Sequence, residues 1–288
     1  MYDVIILGAG PAGVTAGLYA HRFNRKTLII YNQIANIEKA EKIENYYGFK
    51  NGISGNKLYN DGIAQAKNIG IKVKTEEILQ IDKVNNIIEI VTDKNRYATK
   101  TLIIAIGNKK RIPNIKGIQE LEGRGISYCA KCDGFFFKNK NVAVLGSGKY
   151  AISETNDLVN IANKVTILTN GENSPEIRAD NVTIITKLVE SINGEGRVQN
   201  VQFSDGNKLE IDGIFIAEGI LGNKEISKKM GIIMKNDYIQ VNDKMETNIN
   251  GVYACGDCTG GILQISKAIY EGMIAGMQAN KYIMNGGK

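Results

Sequence analysis

Two glycine-rich turns, each between an apolar strand and a helical stretch, constrain the fold of this chain more than any other feature. The first turn, residues 8–13, reads G-x-G-x-x-G, and the second, residues 146–151, reads G-x-G-x-x-A. Such a turn lets the pyrophosphate of a dinucleotide approach the backbone and places a helix N-terminus behind it. One copy alone is weak, but two copies in strand–turn–helix context predict two dinucleotide-type folds in one chain.

The order of the predicted elements indicates how these folds share the chain. Strands are predicted over residues 2–7, 26–31, 142–145 and 164–168, and a late strand–turn–helix follows residue 251. We therefore predict an α/β protein with two Rossmann-like, three-layer nucleotide-binding domains. The first domain is discontinuous, with residues 1–112 and 246–288, and it is interrupted by a second domain, 113–245.

Composition and charge narrow the classes of function. The chain has 288 residues and a formal net charge of +6, which a solvated lysine-rich surface explains and which also suits an acidic protein partner. Apolar runs fall short of the ~18 residues of a membrane helix, and the N-terminus enters a strand without a signal sequence. We expect a cytoplasmic protein without a membrane segment. The basic residues are scattered, so we expect no nucleic-acid partner.

Two Cys-x-x-Cys pairs bear on the chemistry. Cys129 and Cys132 stand in S-Y-C-A-K-C-D-G, where a helix beginning at the motif would allow a disulfide and favour a thiolate. Asp133 follows directly and could shuttle a proton. The two pairs are too far apart for a zinc ribbon, so we favour redox chemistry over zinc or coincidence and expect no metal. For the second pair, Cys255 and Cys258, we expect small buried residues beside a functional Gly-Asp.

With these residues assembled, the chain resembles the low-molecular-weight thioredoxin reductases along nearly its whole length. The stretch VIILGAGPAGVTAGLYAHR is similar to the family's flavin fingerprint, and SYCAKCDGFFF is similar to its redox-active disulfide motif. METNINGVYACGDC and LQISKAIYEGMIAG are similar to its flavin-binding Gly-Asp segment and its closing helix. The resemblance implies FAD as cofactor, thioredoxin as substrate and a homodimer. The discontinuous domain would bind FAD, and the second, of pyridine-nucleotide type, would carry the disulfide.

The resemblance also implies roles for individual residues. Cys132 would face the flavin, Cys129 would attack the disulfide of thioredoxin, and Asp133 would act as acid and base. The implied FAD contacts lie in the first glycine turn, before the first hinge, and around the late Gly-Asp turn. They are Gly8, Gly10, Ala12, Gly13, Asn45, Gly107, Asp257, Gln264 and Ile265.

The chain departs from the family pattern in both domains. Tyr31 and Asn32 stand where the family has an acidic residue for the adenosine ribose of FAD. In the stretch VTILTNGENSP, uncharged residues 168–171 stand where NADPH-dependent members carry a His-Arg-Arg run for the 2′-phosphate, and Arg178 is the only arginine nearby. Bulky Lys149 and Tyr150 open the helix after the second turn, and A-E-G-I-L-G-N replaces Gly-x-x-Pro-Asn.

These departures favour the pyridine-nucleotide-independent branch of the family, the ferredoxin-dependent flavin thioredoxin reductases. We therefore expect reduced ferredoxin as electron donor. One alternative is a thioredoxin reductase that uses NADPH or NADH through an atypical coenzyme site. A second is a non-catalytic flavin redox sensor, against which the intact CAKCDG motif argues.

Overall fold

The computed structural model describes residues 1–32, 35–107, 113–177, 179–218 and 222–287. Its α-helices are α1 (Pro11–Arg22), α2 (Gly55–Asn68), α3 (Ala130–Asp133), α4 (Lys149–Leu158), α5 (Asn223–Met230) and α6 (Ile265–Met284). Short 3-10 helices cover Asn36–Lys39, Gly134–Phe137 and Gly256–Thr259. Within these described ranges, none of the helices combines the length and the apolarity that crossing a bilayer requires.

The β-strands follow the chain in this order. They are β1 (Tyr2–Leu7), β2 (Thr27–Tyr31), β3 (Lys72–Thr75), β4 (Ile78–Val84), β5 (Ile87–Thr92), β6 (Arg96–Ile104), β7 (Ile126–Ser127), β8 (Asn141–Leu145), β9 (Lys164–Leu168), β10 (Val182–Ile185), β11 (Val189–Asn193), β12 (Asn200–Phe203), β13 (Lys208–Glu210), β14 (Gly213–Ile216), β15 (Met234–Lys235), β16 (Tyr238–Ile239) and β17 (Val252–Ala254).

The chain divides into two compact units. The first consists of Met1–Lys109 and Met230–Lys288, and the second of Lys110–Lys229. The sequence-based boundary placed residues 230–245 in the second domain, whereas here they group with the first. Contacts of this segment with the first unit include the Tyr238 ring, 2.8 Å from a Cβ built on Gly260, and the Met245 carbonyl, which accepts from the Ala254 N–H at 3.1 Å.

The first unit is built on one mixed sheet. Its strand order is β3-β2-β1-β6-β5-β4, and β17 also pairs with β6. β1, β2, β3, β6 and β17 are parallel, and β4, β5 and β6 form an antiparallel meander. Val4 to Leu7 are fully buried, which is typical of a central parallel strand covered on both faces.

Helices α1 and α6 pack against each other at backbone distance. A Cβ on Gly272 would lie 2.2 Å from the carbonyl oxygen of Ala12, and one on Gly276 would lie 2.5 Å from that of Ala16. The two glycines are four residues apart and therefore share one face of α6. This close packing fixes the start of α1, and with it the first glycine turn, against the C-terminal helix.

The second unit contains a five-stranded parallel sheet with the order β10-β9-β8-β14-β7. A three-stranded antiparallel sheet, β11-β12-β13, belongs to the same unit. β8, α4 and β9 form the second strand–turn–helix repeat, with β9 at the residues predicted from the sequence. The α/β class and the two Rossmann-like folds are confirmed.

The first glycines of the two turns meet the same requirement in each unit. Gly8 has a φ of 106°, and a Cβ there would lie 2.3 Å from the carbonyl oxygen of Ala105. Gly146 has a φ of 146°, and a Cβ there would also lie 2.3 Å from a carbonyl oxygen, that of Ala217. Both glycines are thus needed for chain geometry, whether or not a ligand binds.

Candidate functional site

A disulfide joins Cys129 and Cys132 in the second unit. Helix α3 begins directly after Cys129, whose Sγ accepts a hydrogen bond from the Cys132 N–H at 3.1 Å. The condition that the sequence sets for a disulfide here, a helix beginning at the motif, is therefore met. Cys129 is fully buried whereas Cys132 is exposed, so an attack by Cys129 on a protein disulfide requires that this residue become accessible during turnover.

The Asp133 carboxylate lies in a small polar network beside the disulfide. Ser127 Oγ donates to Asp133 Oδ2 at 2.6 Å and accepts from the Cys129 N–H at 3.2 Å. Lys228 forms an ion pair with the same carboxylate oxygen. The predicted acid/base residue and the disulfide are thus brought together, with two additional polar partners.

A buried ion pair supports the other end of the disulfide helix. Glu154 Oε2 accepts from the Ala130 N–H at 2.6 Å, and Glu154 Oε1 lies 2.7 Å from Lys229 Nζ. The Glu154 and Lys229 side chains are 1% and 3% exposed. Burial raises the pKa of Glu154, against the opposing attraction of Lys229. The first backbone donor of α3 is therefore held by a carboxylate from α4.

Tyr150, one of the two bulky residues at the start of α4, points into the core. Its side chain is 1% exposed, and its hydroxyl donates to the Tyr128 carbonyl at 2.8 Å. Burial raises the pKa of Tyr150 well above its usual value. Tyr150 is therefore a core residue beneath the residue that precedes Cys129.

Beside the second glycine turn, the end of β9 carries an asparagine that hydrogen-bonds within the protein and to a carboxylate. After β9, Asn170 adopts a φ of 53°, its Oδ1 accepts from the Val189 N–H at 2.9 Å, and its Nδ2 lies 3.4 Å from Glu218 Oε1. A Cβ on Gly148 would meet no atom of the described part of the chain within 4 Å. Arg178 and residues 219–221 of A-E-G-I-L-G-N lie outside the described residues.

In the first unit, the predicted FAD turn fits a pyrophosphate. Helix α1 begins at Pro11 with Gly10 as its N-cap, and no side chain caps it. Among the residues that the structure describes, a Cβ on Gly10 would come within 4 Å of Ala35 Cβ alone, at 3.9 Å, so these residues leave room at the turn. Gly13 is packed tightly, since a Cβ there would lie 2.0 Å from the Gly8 carbonyl oxygen. The free helix N-terminus and this open approach suit a phosphate group.

The predicted Gly-Asp turn is held from α6. Asp257 lies in the 3-10 helix Gly256–Thr259, and burial raises its pKa. Glu271 Oε2 accepts from the Gly256 N–H at 2.8 Å, and Lys267 Nζ donates to the Gly256 and Gly260 carbonyls at 2.9 and 2.5 Å. Lys267 and Glu271 were not predicted, although their i,i+4 spacing on a predicted helix is a signal that sequence could have offered.

Other predicted FAD residues occupy the same unit. Asn45 Nδ2 donates to Gln264 Oε1 at 3.1 Å, and Gln264 is the N-cap of α6 before Ile265. Gly107 has a φ of 72°. Ala12 lies under the Gly-Asp turn, because a Cβ on Gly256 would lie 2.8 Å from Ala12 Cβ. Their contacts with FAD remain predictions.

The end of β2 and the second cysteine pair are the remaining features singled out from the sequence. Tyr31 ends β2 half-buried and Asn32 is exposed, while Gln33 and Ile34 lie outside the described residues. Cys255 and Cys258 are buried, as expected for the second pair, and burial raises the pKa of Cys258 to about 12. Thiols held protonated in this way are poor nucleophiles.

Comparisons with known proteins agree with this arrangement. A family model for pyridine nucleotide-disulphide oxidoreductases matches residues 2–272. The thioredoxin reductase of Bacillus subtilis is 35% identical over 98% of this chain and 95% of its own length. Similar solved structures include an atypical thioredoxin reductase from Desulfovibrio vulgaris Hildenborough, at 31% identity, 99% coverage of both chains and a TM-score of 0.92. A ferredoxin-flavin thioredoxin reductase from Clostridium acetobutylicum is 31% identical, with coverage of 99% and 98% and a TM-score of 0.74.

The match extends over nearly the whole chain and includes both glycine turns and the disulfide motif. The chain therefore belongs to the pyridine nucleotide-disulphide oxidoreductase family and, within it, to the thioredoxin reductases, which are FAD flavoproteins.

Proposed function

We propose that the protein reduces the disulfide of thioredoxin through Cys129 and Cys132, with FAD as its bound cofactor and reduced ferredoxin as its electron donor. The observation that carries the choice of donor is the strand end at Asn170. There, uncharged side chains and the Glu218 carboxylate stand where an NADPH-dependent relative would place cations.

The energetics of this strand end oppose NADPH. Asn170 uses both ends of its amide inside the protein, and Glu218 adds a negative charge within 3.4 Å of it. A 2′-phosphate would meet a carboxylate instead of two arginines, each worth roughly 1.5–3 kcal/mol as a charge-assisted contact. Loss of two such contacts alone weakens NADPH by roughly 10²–10⁴-fold.

Different residues of the chain would bind the cofactor and carry out the disulfide chemistry. When bound, FAD supplies a carrier that accepts electrons singly and passes them on in pairs. The first glycine turn and the N-terminus of α1 would hold its pyrophosphate, and Asp257, Asn45 and Gln264 would contact its ribityl and ring portions. Reduction of the Cys129–Cys132 bond takes two electrons and two protons and gives two thiols. Asp133 is placed beside this pair to hold or release a proton.

The surface beside the disulfide suits a protein substrate. Phe135 and Phe136 follow the motif directly and are 76% and 71% exposed. Adjacent exposed aromatic residues next to a reactive group are typical of an interaction surface. We infer that thioredoxin contacts these rings when its disulfide reaches the Cys129–Cys132 pair.

Two further assignments complete the proposal. We infer that the protein is a cytoplasmic homodimer. The surface that supports self-association is an exposed stripe on α6, with residues spaced by seven: Tyr270, Met277 and Met284. Multi-angle light scattering of the holoprotein gives the mass: a value of one protomer at micromolar concentration would contradict the dimer.

A turnover assay tests the donor and the acceptor together. Thioredoxin thiols are measured anaerobically with reduced ferredoxin, NADPH or NADH as the sole donor. We expect turnover with ferredoxin, none with Cys129→Ser, and a rate that falls as salt screens the positive protein from an acidic donor. Turnover with NADPH or NADH instead would select the alternative of an atypical coenzyme site. The space that the described residues leave at Gly148 is the observation that favours this alternative. No turnover with any donor would select a redox sensor.

A further inference from the structure

We propose that Lys228 is a positioning residue of the disulfide centre. Its ammonium group fixes the Asp133 carboxylate, and its carbonyl oxygen accepts a hydrogen bond from the Cys132 thiol once the disulfide is reduced. This inference rests on the proposed function of the Cys129–Cys132 pair and deepens it.

The first argument is the geometry around one carboxylate oxygen. Asp133 Oδ2 is contacted by both Ser127 Oγ, at 2.6 Å, and the Lys228 ammonium group, and the two donors are themselves 3.4 Å apart. Two donors that converge on one oxygen restrain the orientation of the carboxylate. Without Lys228, one serine hydroxyl remains as its described partner, and rotation about the side-chain bonds becomes easier.

The second argument is burial. The Asp133 and Lys228 side chains are 22% and 35% exposed. Fully exposed ion pairs contribute little because water screens them and because two side chains must be ordered. A half-buried pair in contact with a buried serine keeps more of its attraction.

The third argument is the backbone of Lys228. Its carbonyl oxygen lies 3.7 Å from Cys132 Sγ. A disulfide sulfur has no proton to donate, but the thiol formed by two-electron reduction does. The carbonyl oxygen is therefore in place to accept a hydrogen bond from reduced Cys132.

The position of Lys228 is itself fixed by its neighbour. Lys229 is anchored in the buried ion pair with Glu154, and Glu154 accepts the Ala130 N–H at the start of α3. The last turn of α5 is thus tied to both ends of the four-residue helix that carries the disulfide.

The test measures thiol transfer without a physiological donor. Holoprotein is reduced by two electron equivalents with dithionite and mixed anaerobically with increasing concentrations of oxidised thioredoxin. The variants are Lys228→Met, Lys228→Arg, Asp133→Asn, the double variant Asp133→Asn/Lys228→Met, and Lys208→Met as a control. Lys208 is exposed in β13 of the same unit, within the three-stranded sheet rather than the sheet of β7 that leads into the motif, so its substitution removes an equal charge from a different element.

We expect Lys228→Met to lower the limiting rate at least roughly tenfold, a part of the ~10²–10⁴-fold that a positioned acid or base contributes. Half-saturation by thioredoxin stays unchanged, Lys228→Arg recovers most of the rate, and Lys208→Met behaves as the wild type. The double variant is no slower than Asp133→Asn, because Lys228 acts through Asp133. Lys228→Gln provides the same comparison if the methionine variant unfolds.

Three results would overturn the inference. The first is a Lys228→Met rate within twofold of the wild type. The second is a change in half-saturation alone, which would make Lys228 a docking charge. The third is a full additional loss in the Asp133→Asn background. If the reduced wild-type protein does not reduce thioredoxin, the proposed function is wrong, and the inference about Lys228, which rests on it, is wrong as well.

Discussion

Removal of Lys229 should leave the buried Glu154 carboxylate without its ion-pair partner and make the stability of the protein strongly dependent on pH. Burial already raises the pKa of Glu154 in the folded protein, and the attraction of Lys229 is the largest opposing effect. Lys229→Met removes that attraction and raises this pKa further. Breaking a buried ion pair on one side costs about 3–5 kcal/mol, because the remaining charge has no partner.

The sign of the pH dependence follows from proton binding. Between the pKa of Glu154 in the unfolded chain and its higher pKa in the folded protein, the folded state binds more protons. Stability therefore falls as pH rises through that window, with a limiting slope of ~1.4 kcal/mol per pH unit. In Lys229→Met the window extends to higher pH, so the loss is smallest near pH 5 and approaches its full size toward pH 8.

Thermal unfolding of the holoprotein between pH 5 and pH 8 measures this effect. At pH 8 the unfolding temperature of Lys229→Met should fall on the order of 10 °C. The double variant Glu154→Gln/Lys229→Met keeps the shape of the site without a charge, so it should lose less stability and show no added pH dependence. An equal loss for Lys229→Met at pH 5 and pH 8, or no loss at either, would refute the assignment of a buried charge pair.

Three further predictions separate chain geometry, substrate contact and the identity of the attacking thiol. Gly8→Ala should fold poorly, since its Cβ would meet a carbonyl oxygen at 2.3 Å. Gly10→Ala should fold normally and bind FAD at least roughly tenfold more weakly. Equal FAD affinity of Gly10→Ala and the wild type in a fluorescence titration would contradict the proposed pyrophosphate site. Phe135→Ser should raise the KM for thioredoxin several-fold with little change in kcat, and an unchanged KM in steady-state assays would remove this ring from the docking surface. If Cys129 is the attacking thiol, Cys132→Ser should accumulate a mixed disulfide with thioredoxin on non-reducing gels, and trapping by Cys129→Ser instead would exchange the two roles.

Local patterns in the sequence were sufficient to predict the glycine turns. The positive φ of Gly8 and the close packing of Gly13 against the Gly8 carbonyl oxygen are consequences of a strand–turn–helix connection, which a short motif specifies. The same holds for Cys129, which caps the helix that it precedes. In both cases the residues that determine the structure are neighbours in the chain.

The residues that support the site could not be predicted in this way. Lys228 lies 95 positions after Asp133, and Lys229 lies 75 positions after Glu154. Their pairing depends on how α5 returns to α3 and α4. In sequence, the lysines of α5 are typical of a solvated helix end, and Glu154 is typical of an exposed helix face. Tyr150 shows the same limit, since sequence gives its size but not the direction of its side chain.

The most direct measurement follows the flavin absorbance of oxidised holoprotein after anaerobic rapid mixing with a single donor. Reduced ferredoxin should bleach the flavin within the turnover time, and micromolar NADPH or NADH should leave it oxidised. The Gly148→Ala variant should behave as the wild type, because its added Cβ meets no atom of the described residues within 4 Å and, on this account, no coenzyme uses the turn. Rapid bleaching by NADPH or NADH, slowed by Gly148→Ala, would contradict the assignment of a protein donor and identify the second glycine turn as a working coenzyme site.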